Sequence, residues 1–187
     1  MLTITDAELD VLWDGLEHEA FRLETLDRYA VPGEAETVRR YLAGAPHEKT
    51  EFVRSWAGYV ADMVARGVTY HRVHVVQSPL SDYLRYEFEW GYTEYARRGE
   101  RAYILDTAEV LQPDGVPDYD FWLLDNTHVI RMHYEPSGAF LGAELLPGSA
   151  LDEHRSARDI ALAHAVPFEQ WWAAHPRYWR ENWRGAA

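Results

Sequence analysis

The chain has 187 residues, a hydrophobic fraction of 47%, a net charge of −13 and no cysteine. Its size and apolar content suit one domain with a sizeable core. The missing thiols exclude disulfides, thiol catalysis and cysteine-ligated zinc, and agree with a cytoplasmic protein.

The acidic balance disfavours a phosphate-backbone binder, which needs a basic footprint, so no direct nucleic acid contact is expected. It suits docking on a basic protein partner instead. The opening residues, MLTITDAELDVLWDG, lack the basic-then-apolar order of a signal peptide. No run of about 18 apolar residues occurs, so no membrane span is expected.

Thr5 and Glu8 form a capping box, and Leu9, Leu12, Trp13, Leu16 and Ala20 recur at helical spacing. The first helix is expected to reach about Glu19. Residues 20–34 have poor periodicity and read as irregular or briefly extended. Pro32 suits the first turn of a second helix with Val38, Tyr41 and Leu42 on one face, stopped at Gly44. A third helix carries Phe52, Trp56, Tyr59, Val60, Met63 and Val64 on its apolar face and ends at Gly67.

Val68–Val76 alternates as a buried strand, with His71, Val73 and Val75 on one face and Tyr70, Arg72, His74 and Val76 on the other. Ser78 and Pro79 are expected to open a helix ending at Gly99, before a strand over Arg101–Leu105. Strand, helix and strand together read as a βαβ unit with parallel strands. After the turn-rich stretch 112–120 come three strands, Phe121–Leu124, His128–Tyr134 and Ala139–Leu145, joined by Asp125-Asn126 and Pro136-Ser137-Gly138 as a meander. Two helices close the chain, one through Ile160 and Leu162 and one after Pro167. The expected fold is α/β. A mixed sheet of about five strands, the βαβ unit plus the antiparallel meander, carries N-terminal helices and two C-terminal helices. Residues 1–187 read as one domain, with a helical part (1–66), a sheet core (67–146) and C-terminal helices (150–187).

No catalytic motif stands out. His71 and His74, and likewise His128 and His133, face opposite sides of their strands, and no helical histidine pair occurs, so no metal is expected. There is no P-loop, no G-x-G-x-x-G and no G-x-S-x-G elbow, so no cofactor and no catalytic residue is assigned. Arg72 and His74 in mid-strand are costly if buried without partners. Local carboxylates satisfy them, or they face a polar cleft at the C-terminal end of their strand. Such a cleft would draw on Ser78, Asp82, Tyr83 and Arg85 downstream, on Arg22, Glu24, Asp27 and Tyr29 from the N-terminal segment, and on Arg131 and Glu144 of the meander. The aromatic tail around Phe168, Trp171, Trp172, His175 and Trp179 reads as core or as a partner or homodimer surface.

Five strings, EHEAFRLETLDRYAVPGE (17–34), RVHVVQSPLSDYLRYEFE (72–89), ARRGE (96–100), DFWLLDNTHVIRMHY with GAFLGAELL (120–146) and RDIALAHAVPFEQW (158–171), resemble an actinobacterial family of uncharacterised proteins. Its members are often encoded beside helix-turn-helix regulators, and the resemblance implies an accessory or regulatory role. The layout of the βαβ unit and later hairpin is similar to phospholipase D-like domains. The hairpin lacks their H-x-K motif, and the one literal match, His47-Glu48-Lys49, precedes the sheet. The expected function is therefore a non-enzymatic cytoplasmic protein that binds a partner such as a helix-turn-helix regulator. The alternative is a small-molecule site, sensory or catalytic, in the polar cleft.

Overall fold

A computed structural model describes residues 3–47 and 49–183. The strands are β1 (Thr3–Ile4), β2 (Glu19–Glu24), β3 (Thr69–Val76), β4 (Arg101–Asp106), β5 (Phe121–Leu124), β6 (His128–Tyr134), β7 (Phe140–Leu145) and β8 (Val166–Pro167). They form one mixed sheet in the order β1-β7-β6-β5-β2-β3-β4-β8. The helices are α1 (Asp6–Asp14), α2 (Glu34–Leu42), α3 (Glu51–Ala65), α4 (Asp82–Tyr86), α5 (Thr93–Ala96), α6 (Leu151–His164) and α7 (Phe168–Ala174), with a π-helical segment, Glu87–Tyr92, joining α4 to α5. Glu48 and the side chain of Phe52, which its spacing puts on the α3 stripe, lie outside the described residues.

The α/β class, the mixed sheet, the parallel β3–β4 pair and the antiparallel meander are as expected. The strand count is not, because the sheet has eight strands rather than about five. The additional ones are β1, β2 and β8. Two of these are two residues long, too short to carry a pattern. The third, β2, sits near the middle of the sheet, parallel to β3 and antiparallel to β5. Its Arg22 and Glu24 are buried, so polar residues occupy positions where an interior strand normally shows apolar ones.

The first helix also ends earlier than its spacing suggests, at Asp14 rather than near Glu19. Asp125 is the cause. Asp125 and Asn126 both adopt left-handed φ (47° and 57°), as the central pair of a type I′ turn does, and the Thr127 N–H closes that turn on the Leu124 carbonyl at 2.9 Å. The Asp125 carboxylate then accepts the backbone N–H groups of Glu17, His18 and Glu19 at 2.8 Å each. Those amides are thereby withdrawn from a helical ladder and aligned for β2.

The sheet is covered on both faces. Phe21, Leu23, Val73, Leu105, Phe121 and Val129 pack on one side under Ala157 and Ala161 of α6. The other side carries Arg22, Glu24, Tyr70, Arg72, His74, Trp122 and Ile130, and faces the remaining longer helices. The aromatic tail belongs to this side's core, with Phe168 and Trp171 buried against Phe88. The helix after β3 starts at Asp82, because the Ser81 hydroxyl accepts the Leu84 N–H at 3.1 Å. Ser78 is not its cap and instead bonds the Asp106 carboxylate at the end of β4.

Candidate functional site

A cavity of about 310 Å³ lies between the second sheet face and the helices. That is at the lower end of the range for small-molecule sites, about 300–1,000 Å³. Arg22, Glu24, Arg72, Trp122, Met132 and Tyr134 make its floor. Val53 and Trp56 of α3, with Tyr83, Tyr86, Glu87, Gly91 and Tyr95, make the roof; the 29–34 loop closes one side through Tyr29 and Glu34, and Phe140 stands at the rim.

The roof depends on the π-helical segment. Such wide turns interrupt α-helices at functional sites more often than elsewhere. Here it brings Tyr83, Glu87, Gly91 and Tyr95, at intervals of four, onto the cavity. A Cβ on Gly91 would lie 3.3 Å from Cε2 of Tyr95, so glycine lets that ring lie against the helix.

The floor is a chain of buried charges. Arg22 is 3% exposed; its Nη2 donates to Asp120 Oδ2 at 2.7 Å and to the Tyr134 hydroxyl at 3.0 Å. Asp120 also accepts the Tyr29 hydroxyl at 2.7 Å and both the N–H and the hydroxyl of Thr25, at 2.9 and 2.8 Å. Arg72 donates to Glu24 at 2.9 Å and to Glu100. The Tyr92 hydroxyl lies 2.7 Å from Glu24 and 2.9 Å from His74 Nδ1, and its single proton is shared between these two acceptors. His74 is fully buried behind this row, with Nε2 3.0 Å from the Leu26 carbonyl and Nδ1 2.9 Å from Tyr92. A carbonyl only accepts, so Nε2 carries the proton.

Burial opposes every charge here, and neighbours decide which survive. On Arg22 burial is outweighed by Asp120 and then by other anionic neighbours, which hold the guanidinium charged. On Glu24 burial is outweighed by Arg72, and the carboxyl lies below its usual range. Burial lowers His74 towards the neutral imidazole. Glu87 is pushed well above the carboxylate range by burial and by Glu24. Burial also raises Glu34, although Tyr83 and Tyr86 donate to it at 3.2 and 3.3 Å.

Of the residues singled out by sequence, Arg22, Glu24, Tyr29, Arg72 and Tyr83 line this one cavity, and His74 lies in the network behind it. The others lie elsewhere. Asp27 is exposed, and its carbonyl accepts the Ser81 hydroxyl. Ser78 belongs to Asp106. Asp82 is exposed and pairs with Arg85 at 3.4 Å, while the Arg85 guanidinium lies 3.4 Å from the ring centre of Trp183. Arg131 stands opposite Glu144 in the β6–β7 register, as strand parity suggests. Both, however, are on the α6 side of the sheet. Arg131 lies 4.0 Å over Tyr119, and Glu144 meets His133 at 3.0 Å. The H-x-K string is also apart, with His47 stacked on Trp90 and Lys49 paired with Glu94 at 2.7 Å. Sequence reasoning missed Glu34, Glu87 and the aromatic walls. The run Tyr83, Glu87, Gly91, Tyr95 was the available signal, a carboxyl and a glycine within an aromatic i, i+4 series.

One group of metal-type ligands occurs among the described residues, Asp106, Glu109 and His175, whose ligand atoms lie within 4.8 Å of one another. Asp106 and Glu109 are neighbours in sequence, but His175 follows 66 positions after Glu109, so no spacing rule finds the group. They already satisfy one another and their surroundings. Asp106 accepts the N–H groups of Ser78 and Ala108 at 3.1 and 3.0 Å, and His175 Nε2 is 2.8 Å from Glu109.

Residues 7–173, a span that contains every residue of the cavity, match a domain of unknown function, DUF6879. The chain belongs to the DUF6879 family. This agrees with the expected uncharacterised family. No curated protein matches the DUF6879 chain. One solved structure to which it is similar is that of TrmBL2, an archaeal chromatin protein described as showing a novel mode of DNA binding. The identity is 10%, the TM-score 0.45, and the match covers 88% of this chain and 52% of that one. The DUF6879 chain thus spans about half the length of that protein. Because that neighbour binds DNA, the exclusion of direct nucleic acid contact, drawn from net charge alone, is withdrawn. A TM-score of 0.45 carries no further argument. No helix among the described residues is long and apolar enough to cross a membrane.

Proposed function

We propose that the DUF6879 chain is a small-molecule-binding module with an accessory or regulatory role, and that its ligand occupies the cavity between β2, β3 and the Asp82–Ala96 helix. One observation carries this reading. Arg22 lines the cavity, is 3% exposed, and keeps its Nη1 without a hydrogen-bond partner among the described residues. A buried unsatisfied donor costs about 1–3 kcal/mol, and more for a charged group. An acceptor on a ligand removes that cost.

The test is a thermal-shift screen of a metabolite library against the wild type and a Val53→Trp variant, since Val53 lines the roof and an indole there fills the space. A ligand at 100 times its Kd adds about 2.7 kcal/mol. For a chain of this size that raises Tm by about 5–11 °C. Hits that the variant no longer binds support the reading. An absence of hits, or hits that Val53→Trp binds equally well, counts against it.

A second reading adds to the first. Phe140 at the cavity rim and Leu141 beside it are 50% and 62% exposed, large apolar groups left to solvent. A protein partner that covers them would sense whether the cavity is filled. The net charge of −13 favours a basic partner. Together with the resemblance to a family encoded beside helix-turn-helix regulators, it supports such a regulator as that partner. Co-elution of the two proteins, lost in a Phe140→Ser/Leu141→Ser variant, tests it. Unchanged co-elution of that variant, or none by the wild type, rejects it.

A further inference from the structure

We propose that the ligand of this cavity is a small amphoteric amine, carrying one protonated amine and one carbonyl or carboxylate oxygen on a compact body, as a free amino acid does. The inference rests on the ligand-binding reading and goes further by naming the chemical class.

The polar groups of the cavity divide into those already paired and those left over. Arg72 is held by Glu24 and Glu100, and Arg22 Nη2 by Asp120. Two kinds of group remain. On the floor, Arg22 Nη1 offers N–H donors and has no acceptor. On the roof and its side, Glu34 and Glu87 offer carboxyl groups without a cation among the described residues. Glu34 is met by the phenol groups of Tyr83 and Tyr86. Glu87 Oε2 is buried without a hydrogen-bond partner. The ring nitrogen nearest it, His74 Nδ1 at 3.9 Å, is engaged by Tyr92.

Simpler ligand classes fit worse. An anion would satisfy Arg22 but would enter a space lined by three carboxyl groups, Glu24, Glu34 and Glu87. Burial holds Glu87 towards its neutral form; an ammonium beside it favours the carboxylate and pairs with it, whereas a second anion there supplies no opposite charge. A plain cation would satisfy the roof and leave the Arg22 donors orphaned, at the cost of a buried unmade hydrogen bond. A neutral hydrocarbon would leave both ends unsatisfied. A molecule with an oxygen acceptor towards the sheet and an ammonium towards the helix answers both.

The walls agree with this class. Tyr29, Trp56 and Tyr134 line the space, and the faces of such rings attract an ammonium group within about 6 Å; the Trp122 ring already has the Arg22 guanidinium 5.0 Å from its centre. The volume of about 310 Å³ lies at the lower end of the range for small-molecule sites, about 300–1,000 Å³, and suits a compact ligand.

The experiment is isothermal titration calorimetry on the intact chain with four probe sets built on phenyl, indole and imidazole rings. They are the free amino acids, the matching amines without the carboxylate, the matching acids without the amine, and the neutral alcohols. At least one amino acid is expected to bind tenfold or more tightly than its amine and its acid. Glu87→Gln, with an unchanged circular dichroism spectrum, is expected to erase the tenfold preference over the acid. If acids or alcohols bind best, the ligand class is wrong while the binding site stands. If no probe binds but the metabolite screen still yields hits sensitive to Val53→Trp, the class is again wrong and the site stands. If neither probes nor screen yield binding, the site itself falls, and this inference with it. A Glu87→Gln variant that keeps the full amino-acid preference overturns the role of the roof carboxyl.

Discussion

Asp120→Asn perturbs the floor of the cavity with the least change of shape. Both carboxylate oxygens are in use. Oδ2 accepts from Arg22 Nη2 and the Tyr29 hydroxyl, and Oδ1 accepts from the N–H and hydroxyl of Thr25. Whichever way the asparagine amide is turned, its NH₂ faces one group that can only donate, Arg22 Nη2 or the Thr25 N–H, so at least one hydrogen bond is lost, while the hydroxyl beside it can turn to accept. Arg22 also loses the counter-charge that holds it in a site 3% exposed. Breaking a buried pair in this way costs about 3–5 kcal/mol. For a chain of 187 residues, at about 2–4 °C per kcal/mol, Tm falls by about 6–20 °C. Scanning calorimetry measures it, and Arg22→Met supplies the second arm of a double-mutant cycle. With the cation gone, Asp120→Asn should cost about 2 kcal/mol less than it does in the wild type, the scale of coupling expected for groups in direct contact. A Tm change below about 2 °C, or strictly additive substitutions, would refute the view that this pair carries the floor.

Three further outcomes follow from the same contacts. Burial holds His71 at about 4, against about 6.5 in an unfolded chain. It is neutral in both states at pH 7. Between about pH 6.5 and 4 only the unfolded state takes up the proton, so stability falls on acidification, by up to about 3 kcal/mol from this group. His71→Phe should flatten the urea-midpoint profile over that window, and an unchanged slope would assign the acid sensitivity elsewhere. Gly138 has φ of 84°, and a Cβ there would sit 2.4 Å from the Arg28 carbonyl oxygen. Gly138→Ala is therefore expected to lower stability by about 2 kcal/mol or more from the left-handed backbone and the clash together, and a shift of a few tenths would contradict the close approach of rim and 29–34 loop. Asp125→Ala removes an acceptor shared by three backbone N–H groups. It should cost about 2–3 kcal/mol by chemical denaturation and raise hydrogen exchange at Glu17–Glu19, whereas unchanged exchange there would show that the turn does not hold β2.

What was legible in the chain, and what was not, has a physical cause in each case. β3 shows itself through alternating Val73 and Val75, and the β5–β6 hairpin through Asp125-Asn126, because those signals are local. β2 does not. Its Arg22 and Glu24 look like surface residues until their partners are known, and those partners, Asp120 and Arg72, lie 98 and 48 positions away. The same two residues line one cavity with Arg72, and the sequence points to such a grouping because a mid-strand arginine demands compensation. Arg131 was drawn in wrongly. Its strand parity is right, but which parity shares a face with Arg72 depends on the β5–β2 register, a contact between distant segments. Glu87 was passed over because a glutamate in a helix ordinarily faces water. Only its place between Tyr83 and Gly91 at i, i+4 spacing marks it as inward.

The central claim, that the space between Arg22 and Glu87 is a binding site, is tested most directly by a crystal structure of the chain with a thermal-shift hit bound. The account predicts density for the compound inside the cavity, with an oxygen within hydrogen-bond distance of Arg22 Nη1 and a nitrogen facing Glu34 or Glu87. A compound seated elsewhere, with the cavity holding only water between Arg22 and the roof, would contradict it.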